Sequence, residues 1–300
     1  MRKRQIAKFC AWSLGIVVLC ATPACAQTPS TSLPQKPVER LGQNVFTQQQ
    51  ILQELVKADV VYLGETHDRI EDHQAQLDIL KALYKQNPKI AIAMEMFQRP
   101  YQDVLDQYLA GKITEAELVK QSEYEQRWGF SWEYYAPILR FAKTHQLPVL
   151  AANTPTEVTR KVARSGLESL TPAERKYIPP LSEIRTDNAE YRKMVQDAYE
   201  QHHHTGHSNS DSFERFFTAQ VLWDETMAEK IAQFIKANPN YQVVVLAGEG
   251  HIVYGYGIPS RVARRLNNKQ LVQRSVLLSS SQENSSSTNK AIADFIWERN

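Results

Sequence analysis

Three unbroken apolar runs, each stopping at a short polar signature, constrain this chain more than any other feature. Val60–Val61–Tyr62–Leu63 runs into Gly64–Glu65–Thr66–His67–Asp68, Ile90–Ala91–Ile92–Ala93–Met94 into Glu95, and Val243–Val244–Val245–Leu246–Ala247 into Gly248–Glu249–Gly250–His251. Apolar runs without polar alternation are the mark of strands buried on both faces, which occur in parallel sheets covered by helices. In open sheets of that kind ligands sit beyond the carboxyl ends of the strands. The expectation is an α/β fold with a mostly parallel or mixed central sheet, helices on both faces, and polar residues converging at one edge.

The chain has 300 residues, 42% hydrophobic and 23% charged, enough for one large domain or two small ones. Its first residues read differently. Arg2, Lys3, Arg4 and Lys8 precede an apolar stretch from Phe9 to Ala21, and Ala24-Cys25-Ala26 offers small residues to a signal peptidase. The stretch is short for a membrane span, so residues 1–26 read as an export signal cleaved after Ala26. A lipoprotein anchor on Cys20 or Cys25 is the rival reading, against which stand Leu19 and Thr22, both unlike the usual residues before a lipidated cysteine. Removing the segment leaves 31 basic against 33 acidic groups, a net charge of −2 instead of +2. That balance implies no basic surface for nucleic acid. Cys10, Cys20 and Cys25 are the cysteines of the chain, and all lie in the signal. Chemistry in the exported part therefore falls to His, carboxylates, Tyr and Ser/Thr.

Residues 27–43 are rich in Pro, Ser and Thr and read as a linker. A single domain is expected over 44–278, with a helical insertion at about 100–146. Within it, Thr47 to Lys57 reads as a helix capped by Thr47. Arg69 to Gln86 reads as another, with Ile70, Leu77, Leu80 and Tyr84 on its apolar stripe. Tyr101 to His145 is expected to be helical, carrying the aromatic cluster Trp128, Phe130, Trp132, Tyr134 and Tyr135. A strand over Pro148 to Ala152 closes on Asn153, and a capping-box pattern starts at Thr171. A polar helix over Arg185 to Glu200, a His-rich loop over 202–212 and a long helix from Ser212 to Asn238 precede the third signature. A short basic helix over Pro259 to Leu266 and a last strand over Leu271 to Ser279 follow it. Residues 279–300 read as a low-complexity tail, with Ala291 to Trp297 expected to dock as a short helix.

The signatures carry the chemistry. Glycine permits a tight turn off a strand, and two His with one or more carboxylates suit a divalent metal or acid/base work near neutral pH. Glu65, His67, Glu95 and His251 are the candidate catalytic and metal-binding set. A plain β–α turn with Thr66 or Asp68 capping the next helix is the bland alternative. His73 on the apolar stripe of one helix, and Gln220 and Asp224 among Phe216, Met227, Ile231 and Phe234 on another, are polar residues at core-facing positions. They need partners, either structural or at the site. Tyr254 and Tyr256, just past His251, are placed to meet a ligand, and phenolate is a known haem-iron ligand. His202, His203, His204 and His207 read as a solvated loop.

Six stretches, read together, resemble a known family: GETHD (64–68), EMFQR (95–99), WEYYAP (132–137), NTP (153–155), AQVLWDETMA (219–228) and GEGHIVYGYGIPSR (248–261). They are similar to the EreA/ChaN-like proteins of the Tiki superfamily, in particular its ChaN-like haem-binding uptake proteins, marked by paired Gly-x-x-His motifs with an intervening Glu. The resemblance spans roughly Val60 to Leu266. It implies an exported haem-binding protein serving iron uptake, with a haem pair held in a homodimer through tyrosine; Tyr254 and Tyr256 are the candidates, with His73, Gln220 and Asp224 as further cofactor-binding candidates. The wider superfamily implies the alternative, a metal-dependent hydrolase of protease or esterase type holding Mn or Zn through Glu65, His67, Glu95 and His251. The cleavable signal departs from a lipoprotein pattern and leaves outer-membrane association open.

Overall fold

The computed structural model describes residues 46–202, 210–278 and 290–298. In chain order its regular elements are α1 (Gln48–Leu55), β1 (Val60–Glu65), α2 (Ile70–Gln86), β2 (Ile90–Gln98), α3 (Gln102–Leu109), α4 (Glu115–Gln121), α5 (Tyr124–Arg127), α6 (Trp132–Thr144) and β3 (Val149–Asn153). There follow α7 (Thr156–Ser165), α8 (Ala189–His202), α9 (Ser210–Ala237), β4 (Gln242–Gly248), α10 (Ile258–Leu266), β5 (Gln273–Leu277) and β6 (Phe295–Ile296). Among the described residues no helix is long and apolar enough to cross a membrane. The expected leader and linker and the loop histidines His203, His204 and His207 lie outside the described residues, as does most of the expected low-complexity tail.

All strand pairs are parallel, in the order β3-β2-β4-β1-β5-β6. The three strands that carry the signatures are therefore neighbours at the centre of the sheet, with β4 between β2 and β1. Their residues alternate between two cores. Val61, Leu63, Ile92, Met94, Val244 and Leu246 face one cluster, completed by α1, α2 and the helices α3 to α6. Val60, Tyr62, Ala91, Ala93, Val243 and Val245 face the other, completed by α9 and α10. Burial on both sides removes the need for a polar face, which is why these strands read as unbroken aliphatic runs. Each buried aliphatic side chain contributes about 1.5–3 kcal/mol relative to exposure.

Thr47 caps α1 through a capping box with Gln50, as its sequence indicates. The expected continuous helix over 101–145 is instead divided into α3 to α6. Gly111 and Gly129 take left-handed backbone (φ +71 and +85), Glu123 does so at the start of α5, and Thr114 opens α4 with its own capping box. Left-handed residues end helical propagation. Ile70 is not on the buried stripe of α2 but 62% exposed at its first turn, and Phe216 of α9 is likewise exposed. The expected terminal helix is a strand: β6 pairs with β5 and buries Phe295 and Trp297 against the core. Two residues of strand carry no period that a sequence reading detects.

α9 packs along β3 and β4 and against α7 and α10. Asp224, Glu225 and Thr226 on it are all fully buried. Glu225 accepts bonds from Arg264 and Arg265 of α10 at 2.6 Å, with Arg261 at 3.4 Å, and so clamps α10 onto α9.

Candidate functional site

Parallel register brings the signatures level. Glu65 pairs with Gly248 across β1 and β4, and Met94, immediately before Glu95, pairs with Leu246 across β2 and β4. Glu65, Glu95 and the residues after β4 thus emerge side by side at the carboxyl edge.

The glycines do something other than turn the chain. Gly64 lies inside β1, where an added Cβ would meet Leu277 Cδ2 at 2.8 Å and the Glu249 backbone at 3.3 Å. A Cβ on Gly248 would meet His67 Cε1 and Nε2 at 2.9 Å and Glu95 Oε2 at 3.7 Å. Each is glycine because another group occupies the space of its side chain.

Two arms of similar build reach this edge from opposite faces of the sheet. In the first, His67 Nδ1 donates to Glu65 at 2.8 Å, and Glu65 also accepts from the Tyr135 hydroxyl of α6 at 2.5 Å and from Gln76 Nε2 of α2 at 2.6 Å. In the second, His251 Nδ1 donates to Asp224 of α9 at 2.7 Å, and Asp224 accepts from the Tyr191 hydroxyl of α8 at 2.5 Å. Gln220 Nε2 lies 3.3 Å from His251 Nδ1. Glu95 stands between the arms: its Oε1 is 3.5 Å from His251 Nε2, and its Oε2 accepts the Gly248 N–H at 2.8 Å. The imidazole edges left free by the two carboxylates are the Nε2 atoms: that of His67 borders Gly248, and that of His251 faces Glu95. Binding a ring through Nδ1 fixes its orientation and the atom it presents.

Burial opposes charge throughout, yet the histidine–carboxylate contacts overcome it at His251, Glu95 and His67. For His251, the charges of Glu95 and Asp224 outweigh burial and push it up to about 10. Glu95 is held down at about 2, burial being outweighed by His251 and His67. His67 is raised as well, burial opposing and the contacts with Glu65 and Glu95 prevailing. Tyr135 and Tyr191 are raised above the ordinary phenol range, by burial first and then by the adjacent carboxylate. These phenols stay protonated and donate. The edge thus gathers three carboxylates, two imidazoles and two phenol donors.

Access is uneven. The His67 side chain is 29% exposed, whereas those of Glu65, Glu95, Asp224 and His251 are 9% exposed or less. Trp128 and Phe130 flank His67, each with ring centroids 4.9 Å away, and Trp223 lies 6.0 Å from His251. Two residues of the aromatic cluster over 128–135 therefore wall the accessible end of the site.

Glu65 stands behind His67 rather than beside it at the centre. His73 is turned inward: its Nε2 donates to the His67 carbonyl at 3.0 Å and its ring stacks on Tyr134 at 4.8 Å. Asp224 and Gln220 both meet His251. Tyr254 and Tyr256 follow β4 with rings 5.5 Å apart and are 9% exposed each, in a cluster with Tyr191, Phe217 and Leu277. Sequence reading missed Gln76, Tyr135 and Tyr191. Gln76 is detectable in principle as a second polar residue one turn after His73. The tyrosines are indistinguishable in sequence from core aromatics. Among the described residues no group of three or more His, Cys, Asp or Glu side chains is gathered as it would be around a metal ion.

Residues 51–262 match the family described as haem-binding uptake, Tiki superfamily, ChaN. The chloroplastic protein RETICULATA-RELATED 5 of Arabidopsis thaliana is 28% identical over 270 residues, covering 82% of this chain but only 35% of its own length. The chain thus spans about a third of that relative. The structure of ChaN of Campylobacter jejuni, which binds haem cofacially, superposes with a TM-score of 0.60 at 21% identity, covering 80% of this chain and 88% of that one. That likeness establishes the shared fold, and the match over 51–262 establishes the kinship: this chain belongs to the ChaN family of haem-binding uptake proteins in the Tiki superfamily.

Proposed function

We propose that this chain is an exported haem-binding protein of haem and iron uptake, made with a leader cleaved after Ala26, and that Tyr254 or Tyr256 is its iron ligand. The observation that carries the reading is the tyrosine pair set directly past the His251 signature, within the residues that match the haem-binding family. The residues suit the group. Two phenols lie in an apolar cluster with Phe217, Val253 and Leu277, and haem when bound supplies an iron centre that a phenolate ligates. The Tyr191 ring lies 6.4 Å from Tyr256 while its hydroxyl holds Asp224, so the tyrosine cluster adjoins the His251 arm. Haemin titration of the mature protein should give a saturable Soret shift, reduced by Tyr254→Phe combined with Tyr256→Phe. Absence of saturable binding would refute the reading.

The two-armed cluster favours a second reading, hydrolysis. His67, held by Glu65 and partly exposed between Trp128 and Phe130, is the group that meets a substrate and moves its proton. A divalent ion such as Mn or Zn suits the donor set in one respect: each imidazole is held through Nδ1 by a carboxylate, as metal-bound histidines are. In another respect it does not, because Glu95 is engaged with His251 and the Gly248 N–H. Assay of peptide and ester hydrolysis with His67→Ala and His251→Ala together separates the readings. Hydrolysis should vanish with the pair, and tyrosine-held haem should persist.

A further inference from the structure

The tyrosine pair is covered by a distant part of the same chain. The Tyr254 N–H donates to the Ile292 carbonyl at 2.7 Å, the Lys290 ammonium lies 4.3 Å from the centre of the Tyr256 ring, and Ile292 and Ala293 pack into the cluster that holds both phenols. The covering residues are themselves lightly held. Ile292 and Ala293 are half-buried, and Lys290 and Ala291 are exposed. The next residues are firmly fixed. Asp294 exchanges hydrogen bonds with Ser275, Phe295 and Trp297 are 7% exposed, the Trp297 N–H donates to the Leu277 carbonyl, and the Phe46 ring stands edge-on to Phe295. A loose cover thus hangs from a tight anchor.

The covered backbone is strained. Tyr254 has φ +56, which costs a side-chain-bearing residue energy, and Gly255 after it has φ +66. The Ile292 carbonyl bonds the N–H of the strained residue itself, so lifting the cover removes a contact that holds Tyr254 in this conformation.

We infer that residues 290–293 are a strap that occupies the tyrosine site of this chain and that a ferric porphyrin must displace. The inference rests on the proposed haem reading and adds to it a competitor built into the chain. A ligand whose site is filled in most molecules binds with an affinity reduced by the open fraction, and freeing the site restores it.

The test compares wild type, Ile292→Asp, the milder pair Lys290→Ala with Ile292→Ala, and Tyr254→Phe with Tyr256→Phe, all in the full mature chain. Haemin titration reads the ligand, and hydrogen exchange at the Tyr254 amide reads the strap without it. Both strap variants should speed exchange at Tyr254 and tighten haemin binding about tenfold, while the Phe pair loses it. Unchanged affinity in a folded strap variant, with the Phe pair still losing haemin, overturns the strap and leaves the haem reading standing. A Phe pair that binds as wild type does overturns the tyrosine site and the strap with it. If no form binds haemin, the haem reading itself fails. Should Ile292→Asp not fold, the alanine pair and the wild-type exchange rate decide. Exchange at Tyr254 as slow as in central strand β4 would also refute a strap.

Discussion

Asp224→Asn tests how the second arm is charged. Asp224 is fully buried and holds His251 at 2.7 Å and the Tyr191 hydroxyl at 2.5 Å. Burial alone would push His251 down; Glu95 and Asp224 together carry it from 6.5 up to about 10. A raised group contributes stability that is complete below its unfolded value and is lost as pH rises through the folded one. For His251 the loss therefore runs from 6.5 to about 10. Inside that window the native protein holds one more proton than the unfolded chain, so this group alone lowers stability by about 1.4 kcal/mol per pH unit. The substitution keeps the shape and leaves Glu95 as the anion facing His251, which draws the upper end of the window down. Below the window, loss of the charge-assisted bond should cost about 1.5–3 kcal/mol. Between roughly pH 8 and 9 the wild type should lose about 1 kcal/mol more than the variant. Urea unfolding across a pH series measures both quantities. Parallel curves for the two proteins through this range would show that Asp224 does not hold His251 charged.

Three further substitutions probe the frame around the site. A Cβ on Gly257 would lie 2.2 Å from the His251 carbonyl oxygen, a backbone atom that cannot swing away, whereas one on Gly250 would meet nothing within 4 Å. Gly257→Ala should cost about 3 kcal/mol and Gly250→Ala less than about 0.5 kcal/mol in chemical denaturation; equal effects would contradict the packing described. Glu225→Gln removes the charge facing Arg261, Arg264 and Arg265. It should cost about 3–5 kcal/mol, read as a lower thermal midpoint, and should leave haemin affinity unchanged in the folded protein.

What the sequence reveals about this protein depends on how local the cause is. The central strands are plain because burial on both faces demands aliphatic residues at every position, and the polar signatures stand out against them. The placement of β4 between β1 and β2 is not local: it depends on pairing Val60 with Val243, and no short-range pattern encodes that. Asp224 is visible because a carboxylate on an apolar stripe is anomalous. Tyr135 and Tyr191 are not, since a buried tyrosine is ordinary until its hydroxyl is seen on Glu65 or Asp224. Gly64 and Gly248 invite a turn reading, while the space they vacate is taken by Leu277 and His67, residues far from them in sequence.

The adjacency of Asp224 and Glu225 on α9 limits what can move when a ligand arrives. Successive helical residues point about 100° apart, and here each is held by a different neighbour, Asp224 by His251 and Glu225 by the arginines of α10. The helix is gripped from two directions at one level. Rotating it to release either grip breaks the other, so α9 behaves as a fixed axle of the molecule. Rearrangement on binding then falls to pieces outside that axle: the turn over 253–257, which carries both tyrosines, and the segment over them, which hangs from β5.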